Sequence, residues 1–239
     1  MSELVVCIPG PWVDRASFLE SIILLEPAGR YLAAGGVLAD VAEQDLVELD
    51  LAPADPDMLK AFTMAAQGRI PQETLDAVAA HASVAYLQFP ADLPAQNERI
   101  AKFTDLMRQA GGIAVKVESS GTAHAWDAWQ AMLGGNEFDL YCAMVLLVAD
   151  DRSFYSCGMH LFGLPDCSVP DSIDAEDAAE LMNQFNFWRI QEQPLLQTGH
   201  TFSMSADAPL YRLTLGPDPR HADGDTFHNS WGVWSIDPD

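Results

Sequence analysis

Residues able to do chemistry gather in three stretches of the chain. The first is "AVKVESSGTAH", 114–124. Read as a strand, it sets Ile113, Val115 and Val117 on one face and Lys116 and Glu118 on the other. Lysine is scarce, occurring only at Lys60, Lys102 and Lys116. A lysine in an apolar strand, followed by Ser119, Ser120 and Gly121 and then a helix, can hold an anion between its ammonium and the helix N-terminal N–H groups. His124 is then expected in the first turn of that helix. The same residues also suit an exposed Lys–Glu pair next to an ordinary helix cap.

The second stretch is "FYSCGMHLFGLPDCSVPDS", 154–172. Cys157 and His160 stand three apart, the spacing of a metal knuckle, but residues three apart on a strand point to opposite faces. Only a bulge at Gly158 would join them, so no metal is assigned and Cys157 reads as a small core residue. On this strand Phe154, Ser156, Gly158 and His160 share a side. If the two strands are neighbours, Lys116, Glu118, Ser156 and His160 lie on one sheet face as a binding or acid–base cluster. Sheet faces are usually covered, and a covered face makes His160 a satisfied interface residue instead.

In the third stretch, "HADGDTFHNSW", His221, Asp223, Asp225 and His228 are nitrogen and oxygen donors within eight residues. Mixed ligation of that kind suits several divalent metals. No known metal-loop spacing fits, however, and Asp-Gly-Asp is common turn chemistry. No phosphate loop, dinucleotide fingerprint or nucleophile elbow occurs, so no cofactor is expected. The four cysteines include no Cys-x-x-Cys pair and read as free thiols.

The elements that must position these residues follow from periodicity and punctuation. "LVVCI" is a strand ended by Pro-Gly-Pro, and "VDRASFLESIILL" a helix that Asp14 can cap. "DLVELDL" alternates as a half-buried strand. "PDMLKAFTMAAQG" and "PQETLDAVAAHA" are helices, and "SVAYLQF" is a strand. A helix over 94–110 carries Ile100, Phe103, Leu106 and Met107 on one face, with Gly111 and Gly112 as its stop. Strands at "GIAVKVES", "LYCAMVLLVAD" and "SFYSCGMHLF" then mix with helices at "TAHAWDAWQAML" and "DAEDAAELMNQFNFW". The expected class is α+β, built as two tandem β-α-β-β-α-β (ferredoxin-like) units. The units span 1–92 and 112–239, the second with a C-terminal extension, and a bridging helix joins them over 93–111. They are either separate or packed as one body.

"RYLAAGGVLAD", "GGIAVKVESSGTAHAW" and "FYSCGMHLFGLPD" together resemble an uncharacterised bacterial family, a domain of unknown function. The resemblance runs through most of the chain and is densest from Gly111 to Asp166. It implies one evolutionary unit and brings no activity, cofactor or substrate.

Charge narrows the partners. The 12 basic residues face 35 acidic ones, a net charge of −23. Nucleic-acid binding needs Lys and Arg against phosphates, so neither nucleic acid nor an anionic membrane is an expected partner. The longest apolar run, "CAMVLLVA", is too short to span a bilayer as a helix, and the N-terminal stretch lacks a basic leader region. The expectation is a cytoplasmic, non-catalytic interaction or ligand-binding protein, of inhibitor or immunity type, taking a basic protein or a small molecule. The alternative is an enzyme acting on a small anionic or carbonyl substrate through Lys116 with His160 or His124.

Overall fold

Leu4, Val6 and Ile8 of strand β1 (Glu3–Gly10) are fully buried on one face, while on the other Glu3 is exposed, Val5 half-buried and Cys7 buried. The computed structural model describes residues 3–239, which fall into two compact units, one through Ala143 and one from Met144 to Asp239.

In the first unit, Asp14 caps α1 (Arg15–Leu25) with a capping box, its carboxylate taking the Ser17 N–H at 2.8 Å. A tight hairpin follows, β2 (Tyr31–Ala34) and β3 (Val37–Asp40), and then β4 (Asp45–Pro53). Gly35 and Gly36 form its two-residue turn with φ of 61° and 84°, values suited to glycine. Helices α2 (Met58–Ala66) and α3 (Gln72–Ala79) lead to β5 (Ser83–Pro90), and α4 (Leu93–Gln109) to the short strands β6 (Val115–Val117) and β7 (Thr122–His124). Helices α5 (Trp126–Leu133) and α6 (Glu137–Met144) follow. The seven strands form one antiparallel sheet in the order β2-β3-β4-β5-β1-β6-β7.

One face of this sheet carries an apolar core, with Thr122 and His124 at one edge and Asp40 near the other also buried on it. Leu38, Val47, Leu87, Phe89, Leu4, Val6, Ile8 and Val117 are buried there, as are Ile100, Phe103, Leu106 and Met107 of α4. The α4 stripe therefore matches its periodicity. The other face is covered only in part, where α2 and α3 pack Met58, Phe62, Ala65 and Val78 against Cys7, Val84, Ala114 and Ala123.

The second unit contains β8 (Leu146–Ala149), β9 (Ser153–Cys157), a 3₁₀ turn (Met159–Phe162), β10 (Asp166–Pro170), α7 (Ala175–Glu192), β11 (Thr201–Phe202), β12 (Tyr211–Gly216) and β13 (Val233–Pro238). Its sheet order is β11-β12-β13-β10-β9-β8, with β10 and β13 parallel. Leu181, Met182 and Phe185 of α7 form its core with Cys167, Val169, Leu213, Trp234 and Ile236.

The α+β class holds, and four expectations change. The 93–111 helix is α4 and belongs to the first unit. The chain beyond 111 does not start a new sheet, because β6 pairs with β1 through Val6–Val117 and Cys7–Lys116. A ferredoxin-like unit sets its first and third strands side by side. Here β5 lies between β1 and β4, and the second unit has one long helix where two were expected. The proposed strand through "LYCAMVLLVAD" also divides, its first half closing α6 and its second forming β8.

Candidate functional site

Lys116 lies on β6 of the first sheet, whereas Ser156 lies on β9 of the second and His160 in the 3₁₀ turn after it. The expected common face for Lys116, Glu118, Ser156 and His160 therefore does not form. The strand ends at Cys157 because Gly158 takes φ 124°, and His160 is buried in the turn that follows.

The Ser119-Ser120-Gly121 stretch is no helix start. It turns β6 into β7, with the Gly121 N–H bonded to the Val117 carbonyl at 2.8 Å. Ser119 Oγ accepts the Val5 N–H at 2.9 Å and donates to the Glu3 carbonyl at 2.7 Å, extending the sheet with a side chain. Ser120 is buried, its hydroxyl 3.5 Å from that of Thr122. His124 ends β7 and is buried; its Nε2–H donates to the Ala143 carbonyl at 2.9 Å. Burial lowers its pKa to about 4 despite that bond. All four residues serve structure.

Lys116 nonetheless sits among polar neighbours. Strand register on the partly covered face forms a row of Asp50, Tyr86, Cys7 and Lys116 across β4, β5, β1 and β6. The Lys116 ammonium bonds the Glu118 carboxylate two residues on. Burial, then Glu118, pushes the Cys7 thiol well up, so it is not a reactive thiolate. Burial also raises the Tyr86 phenol, followed by the influence of Cys7, Glu118, Asp55 and Asp50.

Beyond this row α2 and α3 no longer cover the sheet. Val37, Glu48, Gln88 and Val5 form the next row, and Leu32, Ala39 and Leu46 the last. Glu3, Glu48 and Asp50 are exposed, as are Leu32 and Leu46 at 50% each. The result is an open sheet face with an apolar end and a carboxylate centre, bordered by Lys116, which is buried and paired with Glu118. The alternation in "DLVELDL" already sets Glu48 and Asp50 on the side away from Val47. What the sequence lacks is any sign that this side stays uncovered.

The second unit holds a small cleft of about 210 Å³, open mouth included, lined by Tyr155, Cys157, Asp166, Asp218, Arg220 and His221 among others. Ser156 Oγ donates to Asp166 Oδ1 at 3.0 Å, the Met159 N–H to the same oxygen at 3.1 Å, and Asn229 Nδ2 to Oδ2 at 2.6 Å. Burial still raises the Asp166 carboxyl to about 6. Arg220 stacks over Tyr155 at 4.1 Å and bonds Asp150 at 3.0 Å. His221 Nδ1 lies 3.2 Å from Asp218, and His228 Nδ1–H donates to the His221 carbonyl at 2.9 Å. The third stretch is thus a loop tied by its own hydrogen bonds. Among the described residues no three His, Cys, Asp or Glu side chains converge as a metal site. Cys157 and Cys167 are unbridged, and burial raises both thiols, Cys167 to about 11.

Among the described residues no helix is long and apolar enough to cross a membrane. Comparison with models of known families, with curated proteins and with solved structures finds no match to the chain.

Proposed function

We propose that this chain is a non-catalytic binding protein that takes a basic polypeptide partner on the open half of the first unit's sheet. One observation carries the reading: Glu3, Glu48 and Asp50 are exposed on an uncovered face beside Leu32 and Leu46, and the neighbouring Lys116 is buried and paired with Glu118. Carboxylates steer a basic partner and set its register, while the apolar end supplies area to bury. An inhibitor or immunity role, in which an acidic chain masks a basic one, fits this chemistry and the net charge of −23. The enzyme alternative relied on Lys116 and His160 sharing one sheet face, whereas Lys116 lies on β6 of the first sheet and His160 in a 3₁₀ turn of the second unit.

The test uses a fluorescein-labelled peptide of alternating lysine and valine, followed by anisotropy at low and physiological salt. Glu48→Lys with Asp50→Lys is compared with Glu176→Lys with Asp177→Lys on α7, which changes net charge equally. The open-face variant is expected to weaken binding about tenfold or more, and the α7 variant much less. Equal losses would show attraction by net charge alone and overturn the reading.

A further inference from the structure

What the first unit leaves open is part of a sheet face. At one end of the sheet α1 packs against β2, and Ala33 is only 5% exposed. At the other end all three residues of β7 are buried, and Thr122 and His124 both bond the Ala143 carbonyl of α6. Strands β3, β4, β5 and β1 each lie between two others. Their N–H and C=O groups point along the sheet and not out of its face. From Leu32 on β2 to Glu3 on β1 the open area crosses four strand spacings, about 19 Å, and from Leu46 to Asp50 it runs about 13 Å along β4.

Two features of this area bear on what would cover it. Around the β3–β4 turn the acids are matched, Asp40 and Glu43 by Arg30, and Glu43 and Asp45 by Lys102, with Arg99 also on Asp45. Glu3, Glu48 and Asp50 have no ion-pair partner among the described residues. The second feature is the lack of main-chain partners. A polypeptide lying on Leu32, Ala39 and Leu46 must satisfy its own N–H and C=O groups, because neither those side chains nor the sheet offers any. An α-helix does so internally, and an extended chain does not. The unit already uses helices in this way, with α4 on the face that carries the apolar core and α2 and α3 on the other half of this one.

We propose that the partner presents a basic amphipathic helix, which lies on the open half of the face beside α2 and α3 and completes the helix layer there. A helix about 10 Å across and three turns long fits the open area. Its apolar stripe, at i, i+3, i+4 and i+7, covers Leu32, Ala39 and Leu46. Lysine or arginine along the margins of that stripe extends to Glu3, Glu48 and Asp50. A second copy of this chain is disfavoured as the occupant, because each copy carries −23. Its most basic helix, α4, is already buried through Ile100, Phe103 and Met107. The proposal rests on the reading that the open face takes a basic polypeptide, and the experiment separates the two.

The probe is a short peptide of leucine, alanine and lysine with leucine at helical spacing, isotope-labelled at its Cα atoms. Its diastereomer, with D-residues at two central positions, keeps composition and charge but cannot form the helix. The all-L peptide is expected to bind about tenfold or more tightly than the diastereomer, and than an alternating lysine–valine peptide of equal charge. Too short to be a stable helix alone, it should move to helical Cα shifts when the protein is added. Leu32→Ser with Leu46→Ser, both half-exposed, should weaken its binding about tenfold while the melting temperature stays near that of the parent. If that variant fails to fold, the diastereomer and the Cα shifts decide the matter alone. Equal binding by the two diastereomers, or shifts that stay non-helical in the complex, would overturn the helix. If Glu48→Lys with Asp50→Lys still abolished binding in that case, the open-face reading would stand without it. Equal losses from that variant and from Glu176→Lys with Asp177→Lys would overturn both. Sedimentation showing a dimer that the peptide disperses would also overturn the proposal, since the face would then belong to a second copy.

Discussion

Ser156 Oγ donates to Asp166 at 3.0 Å while accepting the Cys167 N–H at 2.9 Å, which commits both its donor and its acceptor capacity to neighbours within the second unit. A hydroxyl that looked available for a ligand in fact supports a buried carboxyl. The consequence is measurable in how stability responds to pH.

Asp166 titrates at about 6 in the folded unit against 3.8 as a free side chain. A raised pKa means the folded state holds the proton more tightly. Its contribution is therefore full below 3.8 and is lost as pH rises through 6, about 3 kcal/mol in all. Between pH 7 and pH 5 it should stabilise the second unit by roughly 1 kcal/mol. Hydrogen exchange resolved by unit will show this gain, and Asp166→Asn will remove the slope while lowering stability at every pH.

His124 predicts the opposite sign in the first unit. Its pKa falls from 6.5 to about 4, so the unfolded state takes up the proton first. Stability is full above 6.5 and is lost as pH falls towards 4, by about 3 kcal/mol. Acidification from pH 7 to pH 5 should thus loosen the first unit while firming the second. His124→Gln, whose amide can still reach the Ala143 carbonyl, should flatten the first unit's response.

Ser119→Ala should cost about 1–3 kcal/mol, since it leaves the Val5 N–H and the Glu3 carbonyl without the hydroxyl that serves both. Chemical denaturation measures the loss, and faster exchange at the Val5 amide places it at the start of β1. A serine acting as a surface ligand group would show neither effect.

Lys116→Met separates a structural lysine from a binding one. Glu118 is 27% exposed at its side chain and can hydrate when its partner goes, so stability should change by no more than about 1 kcal/mol. The same substitution removes a buried positive charge that borders the open face and frees the Glu118 carboxylate, and the lysine–valine peptide should bind about threefold more tightly. Weaker peptide binding would contradict the charge logic of that face.

Much of the local structure was legible in the chain. Asp14 caps α1, α4 buries Ile100, Phe103, Leu106 and Met107, and Gly111 at φ 103° follows it as a stop. Trp126 and Trp129, three apart on α5, turn inward together, Trp129 fully buried and Trp126 half-buried. Trp234 docks within a terminal strand while Trp231 stays exposed. The candidate site was not legible. Alternation shows that Lys116 and Ser156 each oppose an apolar neighbour, but nothing in it says which strand lies alongside.

The sequence by itself determined where the helices and most of the strands fall, the surplus of acid, and the side of β4 that carries Glu48 and Asp50. Those properties live in side-chain spacing and charge, which act over a few residues. Tertiary structure alone decided that β6 pairs with β1, that Lys116 and Ser156 belong to different sheets, and that α2 and α3 leave half a face open. Sheet pairing is made by main-chain groups that every residue shares, so the choice of neighbour depends on burial summed over the whole unit.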